Sequence, residues 1–314
     1  MNKAAAFIIF FVVIMITVIV VVVNANAVTN RGTAGAQFLK IGVGARAVAM
    51  GEAYTALSND VNGIYWNPAG LSMIQGREVS FSHSSWLEMM NYDSMAFAIP
   101  ASYGVFGFAV NRLSVGAIDK YSNIGNRVGD EAYNPADTLL TMSYANMFRD
   151  ICLGVNVKYI ESNIDNTKAT TVALDAGSLY RFSDGKYAIG FTIQNIGSAM
   201  KFVNDSDPLP MTMKLGFSSE LIREKNPLIV AIDLSSPSDS AVRAGLGLEY
   251  SCGLNESMRI SPRLGYKTND DKLNGLSGLT AGFGFKLDMY MLDYAWVPYG
   301  DLGDTHRISG SIKF

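Results

Sequence analysis

The feature that most constrains this chain is a two-residue alternation between apolar side chains and small or polar ones. It is clear in the segments 187–195 (YAIGFTIQN), 279–287 (LTAGFGFKL) and 306–314 (HRISGSIKF). In the first segment, aromatic residues and isoleucine alternate with alanine, glycine, threonine and glutamine. Because successive side chains of a β-strand point to opposite faces, the pattern predicts strands with one apolar and one polar face.

Turn residues divide the chain beyond Arg77 into fourteen such strands. An even number of antiparallel strands is typical of bacterial outer-membrane barrels, whose two chain ends lie on the same side of the membrane. The predicted strands are 78–86, 91–99, 103–114, 137–148, 150–161, 170–182, 186–196, 210–221, 227–235, 240–251, 257–267, 277–287, 288–297 and 305–314.

The connections between these strands alternate in length. Segments 114–136, 197–209 and 268–277 are long, whereas 148–150 and 183–186 are short. Long loops at one end and tight turns at the other are typical of an outer-membrane barrel. No amphipathic helix separates successive strands, so the pattern excludes a parallel sheet.

The first residues predict export. An uncharged apolar run covers residues 4–23 and is followed by Ala25-Asn26-Ala27. This order predicts a secretory signal peptide, residues 1–27, with cleavage after Ala27. The alternative is a retained membrane anchor, since the run is long enough to cross a hydrocarbon core. The A-x-A site and the lack of a basic stop-transfer flank favour the signal peptide and an outer-membrane location.

The low charge content separates a membrane barrel from a soluble β-sandwich or lipocalin-like barrel. Charged residues make up 17% of the chain, against about 25% in typical soluble domains. A soluble barrel carries dense charge on its outer face, whereas here the polar face of the strands is rich in glycine and hydroxyl groups. The composition therefore favours contact with outer-membrane lipid, and the net charge of −3 argues against nucleic acid as a partner.

A glycine-rich stretch at 41–53 contains Gly42-x-Gly44-x-x-Ala47, with Asp60 following. A dinucleotide-binding loop needs a buried strand before it and a helix after it, and residues 32–76 provide neither a preceding strand nor a second one. We interpret the glycines as residues of a compact segment of short helical turns, residues 28–77, that packs inside the lumen of a barrel formed by residues 78–314.

Five stretches of the chain resemble the PorV/PorQ family, which belongs to the wider FadL-like group of outer-membrane barrels. They are GAQFLKIGVGARAVAMGEAYTALSNDVNGIYWNPAGLS, QNIGSAMKF, LPMTMKLGFS, RAGLGLEY and LDYAWVPYGDLGDTHRISGSIKF. The resemblance implies a 14-stranded antiparallel transmembrane β-barrel with a short N-terminal plug in the lumen. In FadL-like proteins an Asn-Pro-Ala element belongs to the plug, and Asn67, Pro68 and Ala69 match it here, followed by Gly70.

The same resemblance implies a non-enzymatic role in type IX secretion, either receiving secreted proteins or handing them to the surface-attachment machinery. The partners would be secreted proteins or a secretion translocon. The wider FadL-like resemblance implies an alternative, a passive channel for hydrophobic small molecules with a plug that shifts.

Candidate chemistry is sparse. The two histidines, His83 and His306, have no metal-ligand spacing, and polar strand ends explain them better than a Ser–His–Asp triad. The two cysteines, Cys152 and Cys252, are far apart in the chain, and we expect free thiols. The sequence therefore predicts neither an enzyme nor a cofactor.

Charged residues on the inward face allow two interpretations. They either line an ion-conducting lumen or pair with one another and with plug residues, as a filled barrel requires; pairing is favoured. The predicted inward set is Lys158, Arg181, Lys214, Arg243, Arg259, Arg263, Arg307, Lys313, Asp175, Asp233 and Glu249, with Arg46, Glu52 and Asp60 in the plug.

One long connection is a candidate partner-binding loop. It offers Tyr121 and Tyr133 among several asparagines, the mixture of aromatic and adaptable polar residues found in protein interfaces. The alternative is a mobile loop whose polarity only keeps it in water.

Overall fold

A computed structural model describes residues 32–87, 89–122, 124–223, 225–268 and 276–314. In this part of the chain, fourteen antiparallel strands form the wall of one barrel. They are β1 Glu78–Ser85, β2 Met90–Ala101, β3 Gly104–Val115, β4 Ala136–Phe148, β5 Ile151–Ile164, β6 Thr167–Phe182, β7 Tyr187–Gly197, β8 Thr212–Ile222, β9 Leu228–Pro237, β10 Arg243–Tyr250 continued by Cys252–Gly253, β11 Met258–Lys267, β12 Leu279–Leu287, β13 Tyr290–Pro298 and β14 Asp304–Lys313.

The barrel closes where its first and last strands pair. Glu78 lies opposite Lys313 and Ser85 lies opposite His306, in an unbroken antiparallel register. Closure leaves no free sheet edge, which is the condition for a β-structure in lipid. The prediction of a closed 14-stranded antiparallel barrel is confirmed.

Side chains alternate between the two sides of the wall as the sequence pattern predicts. Along β5, Leu153, Val155 and Val157 are about half exposed, whereas Asn156 and Lys158 between and beside them are buried. The apolar face therefore points outward, and the polar face points into the lumen.

The two ends of the barrel differ. One end, the turn end, carries short connections such as 102–103 and 149–150. The other end, the loop end, carries most of the longer connections. The sequence pattern predicts the longest of them, residues 116–135, as a loop without strands. There the strands Ile118–Tyr121 and Arg127–Tyr133 form a separate two-stranded sheet, the loop-end hairpin.

The lumen contains the described part of the N-terminal segment, residues 32–77. It consists of turns and four short helical pieces, Gln37–Lys40, Ala45–Ala49, Gly63–Trp66 and Pro68–Met73. Trp66 is almost completely buried, and its indole Nε1 donates to the Val43 carbonyl at 2.8 Å. Among the described residues, no helix is long and apolar enough to cross a membrane. The predicted signal peptide lies outside the described residues.

Glycines on both sides bring this segment into contact with the wall. A Cβ on Gly51 would lie 2.5 Å from the Leu246 carbonyl oxygen, and one on Gly265 would lie 2.1 Å from the Gly51 nitrogen. Gly51 also has a φ of +63°, in the left-handed region that favours glycine. The glycine-rich stretch thus serves close packing, and no strand of a nucleotide-binding unit precedes it in the described chain.

Candidate functional site

A buried cluster of ion pairs joins the N-terminal segment to the wall. The Arg46 guanidinium donates from Nε and Nη2 to the two carboxylate oxygens of Glu249, each at 2.8 Å. Arg263 donates to Glu249 at 2.6 Å and to Asp293 at 2.6 Å. On the segment side, Arg46 Nη1 lies 3.5 Å from Asp60. Glu249 therefore sits between two guanidinium groups, one from each part of the molecule.

A second pair joins the two parts nearer the loop end. Lys267 Nζ donates to Glu52 at 2.7 Å. Burial opposes ionisation of Glu52, but the Lys267 ammonium outweighs it and lowers the pKa of the carboxyl to about 2. Glu52 is consequently charged at neutral pH, and the segment is held electrostatically at this position too.

Backbone groups of the segment also bind wall side chains. Asp233 accepts from the amides of Tyr54 and Thr55, at 3.1 and 2.8 Å. Arg307 donates to the Gly42 carbonyl at 2.5 Å. These bonds use backbone groups of the irregular stretches on either side of helix Ala45–Ala49.

The pairing interpretation of the inward charges is confirmed for most of the set. Lys158 binds Asp175 at 2.7 Å within the wall, and the Lys214 ammonium lies 4.7 Å from the centroid of a Trp66 ring. The sequence reasoning did not single out Lys267 and Asp293. Both residues alternate with the outward apolar residues of their predicted strands. The sequence pattern could therefore have identified them as inward-facing.

The four residues predicted as a plug motif form a tight turn against the wall. Asn67 donates to the Thr55 carbonyl at 2.8 Å and to the Ser178 carbonyl of β6 at 3.1 Å, and its own oxygen accepts from the Ala69 amide. Pro68 begins the 3₁₀ turn Pro68–Met73. A Cβ on Gly70 would lie 2.4 Å from the Ser58 carbonyl oxygen.

Two cavities of several hundred cubic ångströms lie between the segment and the wall. The cavity at the loop end measures about 400 Å³, with Phe38, Trp86 and Leu113 on its apolar side and Lys40 and Glu52 on its charged side. The cavity at the turn end measures about 350 Å³. Its lining is mainly polar and basic, from Arg46, Asn59, Glu249, Ser251, Arg259, Ser261, Arg263, Lys286 and Lys313. Both cavities open towards an end of the barrel.

The two predicted partner-binding tyrosines lie on the loop-end hairpin, outside the wall. Tyr121 is 64% exposed and Tyr133 is half-buried, each on a different hairpin strand. Lys120 of the hairpin binds Asp165 of the β5–β6 turn at 2.7 Å. The hairpin is therefore tied to a neighbouring connection.

The remaining candidates belong to different parts of the wall. His83 pairs with Asp93 and His306 binds the Tyr294 hydroxyl, each at 2.7 Å and on the outer face. Cys152 and Cys252 are free thiols, as expected. No group of three or more metal-binding side chains occurs within the described residues.

The fold resembles those of solved outer-membrane proteins. The Ralstonia pickettii toluene transporter TbuX shares 14% identity at a TM-score of 0.56, over 87% of this chain and 98% of that one. The Pseudomonas putida toluene transporter TodX shares 11% at 0.57, over 86% and 97%. A Pseudomonas aeruginosa FadL homologue shares 11% at 0.51, over 92% and 99%. At these identities the similarity establishes a FadL-like barrel fold.

Family membership comes from the sequence. No curated protein matches the chain. The family model described as "Type IX secretion system protein PorV" matches residues 24–236, more than half of the chain, including the N-terminal segment and the first nine strands. The chain therefore belongs to the PorV family of type IX secretion system proteins, non-enzymatic outer-membrane β-barrels with a FadL-like fold.

Proposed function

We propose that this protein receives secreted proteins at the outer membrane, with the loop-end hairpin as the docking surface and residues 28–77 as a plug that closes the lumen. In this proposal, the hairpin faces the cell exterior and the signal peptide is removed after Ala27. The observation that carries it is an exposed aromatic surface outside a barrel whose lumen contains the N-terminal segment.

The hairpin is suited to docking because it displays exposed apolar side chains and is joined by ion pairs to itself and to a neighbouring connection. Arg127 binds Asp119 across it at 2.9 Å, and the Lys120 contact described above joins it to the β5–β6 turn. Tyr121 and Ile124 are 64% and 82% exposed on this support. Tyrosine is one of the residue types that most often form hot spots of protein interfaces.

The filled lumen supports a role other than free conduction. Wall charges that would attract ions bind the N-terminal segment, through Arg46 and Glu249, Lys267 and Glu52, and Asp233 with two backbone amides. Removing the segment would leave several of these charges without partners. The segment is thus both a filler and a set of counter-charges.

A channel for hydrophobic small molecules is the second candidate, since TbuX and TodX are toluene transporters of similar fold. The apolar side of the loop-end cavity, with Phe38, Trp86 and Leu113, favours it. Lys40 and Glu52 in the same cavity oppose it, because a hydrocarbon would displace water from charged groups without replacing its hydrogen bonds.

The two functions predict different results for one variant. Replacing Tyr121 and Tyr133 by serine should weaken binding of a purified secreted protein of the same system about thirtyfold or more, the effect of losing a hot spot. Tyr103, also 64% exposed but in the turn between β2 and β3, provides the matched control, Tyr103→Ser. The folded barrel should keep its heat-modifiable migration on gels in each case.

Uptake of labelled toluene by cells that carry the protein, compared with a vector control, tests the second candidate. Unchanged binding of the secreted protein by the double variant, together with toluene uptake, would replace the receiving role with the channel.

A further inference from the structure

The turn-end cavity contains two cations that lack a counter-charge. Arg259 on β11 and Lys286 on β12 both line it and are direct cross-strand partners. In the described ranges of the chain, neither side chain forms an ion pair. The adjoining turns carry Glu256 and Asp288, but these carboxylates do not line the cavity. Like charges directly opposite each other destabilise a sheet, so an anion bound beside this pair would offset their repulsion.

The other cations of this cavity already have carboxylate partners. Arg46 and Arg263 both bind Glu249, at 2.8 and 2.6 Å. Lys313 Nζ lies 3.4 Å from an oxygen of Glu78. The uncompensated charge of the cavity is therefore that of the cross-strand pair.

Two buried hydroxyl groups line the same cavity. Ser251 and Ser261 are each more than nine-tenths buried, and their Oγ atoms lie 2.8 Å apart. In this bond one hydroxyl donates and the other accepts, so the proton of the accepting hydroxyl stays available for a ligand. Ser261 lies two residues deeper along β11 than Arg259. The cavity thus offers charged donors near its mouth and a neutral donor below them.

The size and charge of the cavity favour a small dianion. Its volume of about 350 Å³ is roughly ten times the ~30 Å³ that one water molecule occupies in the liquid. A phosphate monoester carries a charge of about −1.5 to −2 at pH 7 and three strong acceptor oxygens. A guanidinium fork matches the geometry of a phosphate, and an ammonium group adds a point charge. A phosphodiester, as in membrane phospholipids, carries a single charge and would leave one of the two cations unpaired.

We propose that the turn-end cavity binds a small molecule with a dianionic phosphate group, held by Arg259 and Lys286 and by a hydroxyl of the Ser251–Ser261 pair. In the orientation proposed above, the cavity opens to the periplasm. Arg46 of the N-terminal segment lines the same cavity, so the ligand sits between the segment and the wall. The site does not depend on the docking role of the loop-end hairpin.

Isothermal titration calorimetry of the purified full-length barrel in phosphate-free detergent buffer tests the site. The probes are inorganic phosphate and glycerol 3-phosphate, and the comparison compounds are glycerophosphocholine, a phosphodiester, and succinate, a dicarboxylate. We expect both probes to bind saturably at one molecule per barrel, and the diester to bind about tenfold more weakly because one charge-assisted hydrogen bond is lost. The absence of saturable binding at millimolar phosphate would overturn the proposal, as would tighter binding of succinate or of the diester.

Charge variants locate the bound phosphate. Arg259→Gln combined with Lys286→Gln should lower the phosphate affinity about a hundredfold, the effect of losing two charge-assisted hydrogen bonds. Arg149→Gln combined with Lys225→Gln is the matched control, because both side chains are exposed on connections of the same end and do not line the cavity. Arg259→Lys keeps the charge and should retain most of the binding, and heat-modifiable migration verifies that each variant folds. Equal affinities of the two double variants would mean an adventitious ion only and would refute the site.

Discussion

Glu249→Gln should release the N-terminal segment from the wall. Glu249 accepts three charged hydrogen bonds, two from Arg46 and one from Arg263, at 2.6 to 2.8 Å. Glutamine keeps one accepting oxygen and turns an amide group towards a guanidinium. The substitution therefore removes the counter-charge shared by a segment residue and a wall residue, both of which stay in place.

The expected loss of docking free energy follows from the burial of this cluster of ion pairs. Glu249 and Arg263 are each less than 5% exposed, and the Arg46 side chain is 13% exposed. Removing one member of such a buried pair costs about 3–5 kcal/mol. A loss of about 4 kcal/mol raises the ratio of released to docked segments about a thousandfold.

Conductance in a planar bilayer measures this ratio, because the released segment no longer fills the lumen. The native protein should stay nearly closed, and Glu249→Gln should show frequent openings. Asp175→Asn is the control, since Asp175 is equally buried but binds Lys158, Asn156 and Asn195, all on wall strands. An open fraction of Glu249→Gln no greater than that of Asp175→Asn would contradict the reasoning.

Three further changes probe the same contacts. Gly265→Ala should increase conductance, because the added Cβ would lie 2.1 Å from the Gly51 nitrogen and displace the segment. An unchanged, closed pore would show that the wall strand moves instead of the segment. Asn67→Ala should lower the free energy of unfolding by about 1–3 kcal/mol in urea titrations, since the Thr55 and Ser178 carbonyls lose their donor. An unchanged urea midpoint would show that backbone geometry alone stabilises the turn. The Glu52–Lys267 pair should weaken as the pH falls, because the pKa of Glu52 is lowered from 4.5 to about 2. The contribution of the pair to the docking of the segment is therefore complete above about pH 4.5 and is lost as the pH falls towards 2. Conductance should rise across that range, and Glu52→Gln should remove the step.

The strands of the wall can be predicted from the sequence because the alternation of apolar and polar residues involves only neighbouring positions in the chain. Inward and outward positions along β5 or β12 follow from parity alone, and all fourteen predicted strands correspond to observed ones, usually within three residues at either end. The lumen position of the glycine-rich segment is an interpretation from missing strands and from the family resemblance. The family match confirms the resemblance itself.

The partners of the inward charges were not predictable. Arg46 and Glu249 are separated by 203 positions in the chain, and their meeting depends on strand register and on the path of the segment, neither of which has a period in the sequence. The loop-end hairpin was missed for a related reason. Its strands are short, and the glycine and asparagine residues between them are equally typical of irregular loops.

The closing pair of strands constrains the order in which the molecule forms. Pairing of β1 with β14 joins the first and last strands of the wall and has the longest sequence separation of its strand pairings. Contacts of long range form late, because a long loop must first be ordered. The segment before β1 contacts β10 and β11 through Gly51 and β14 through Gly42. Its bulky Trp66 would enter an open, curved sheet more readily than a closed barrel. We therefore expect β1 and β14 to pair after the segment has entered the lumen.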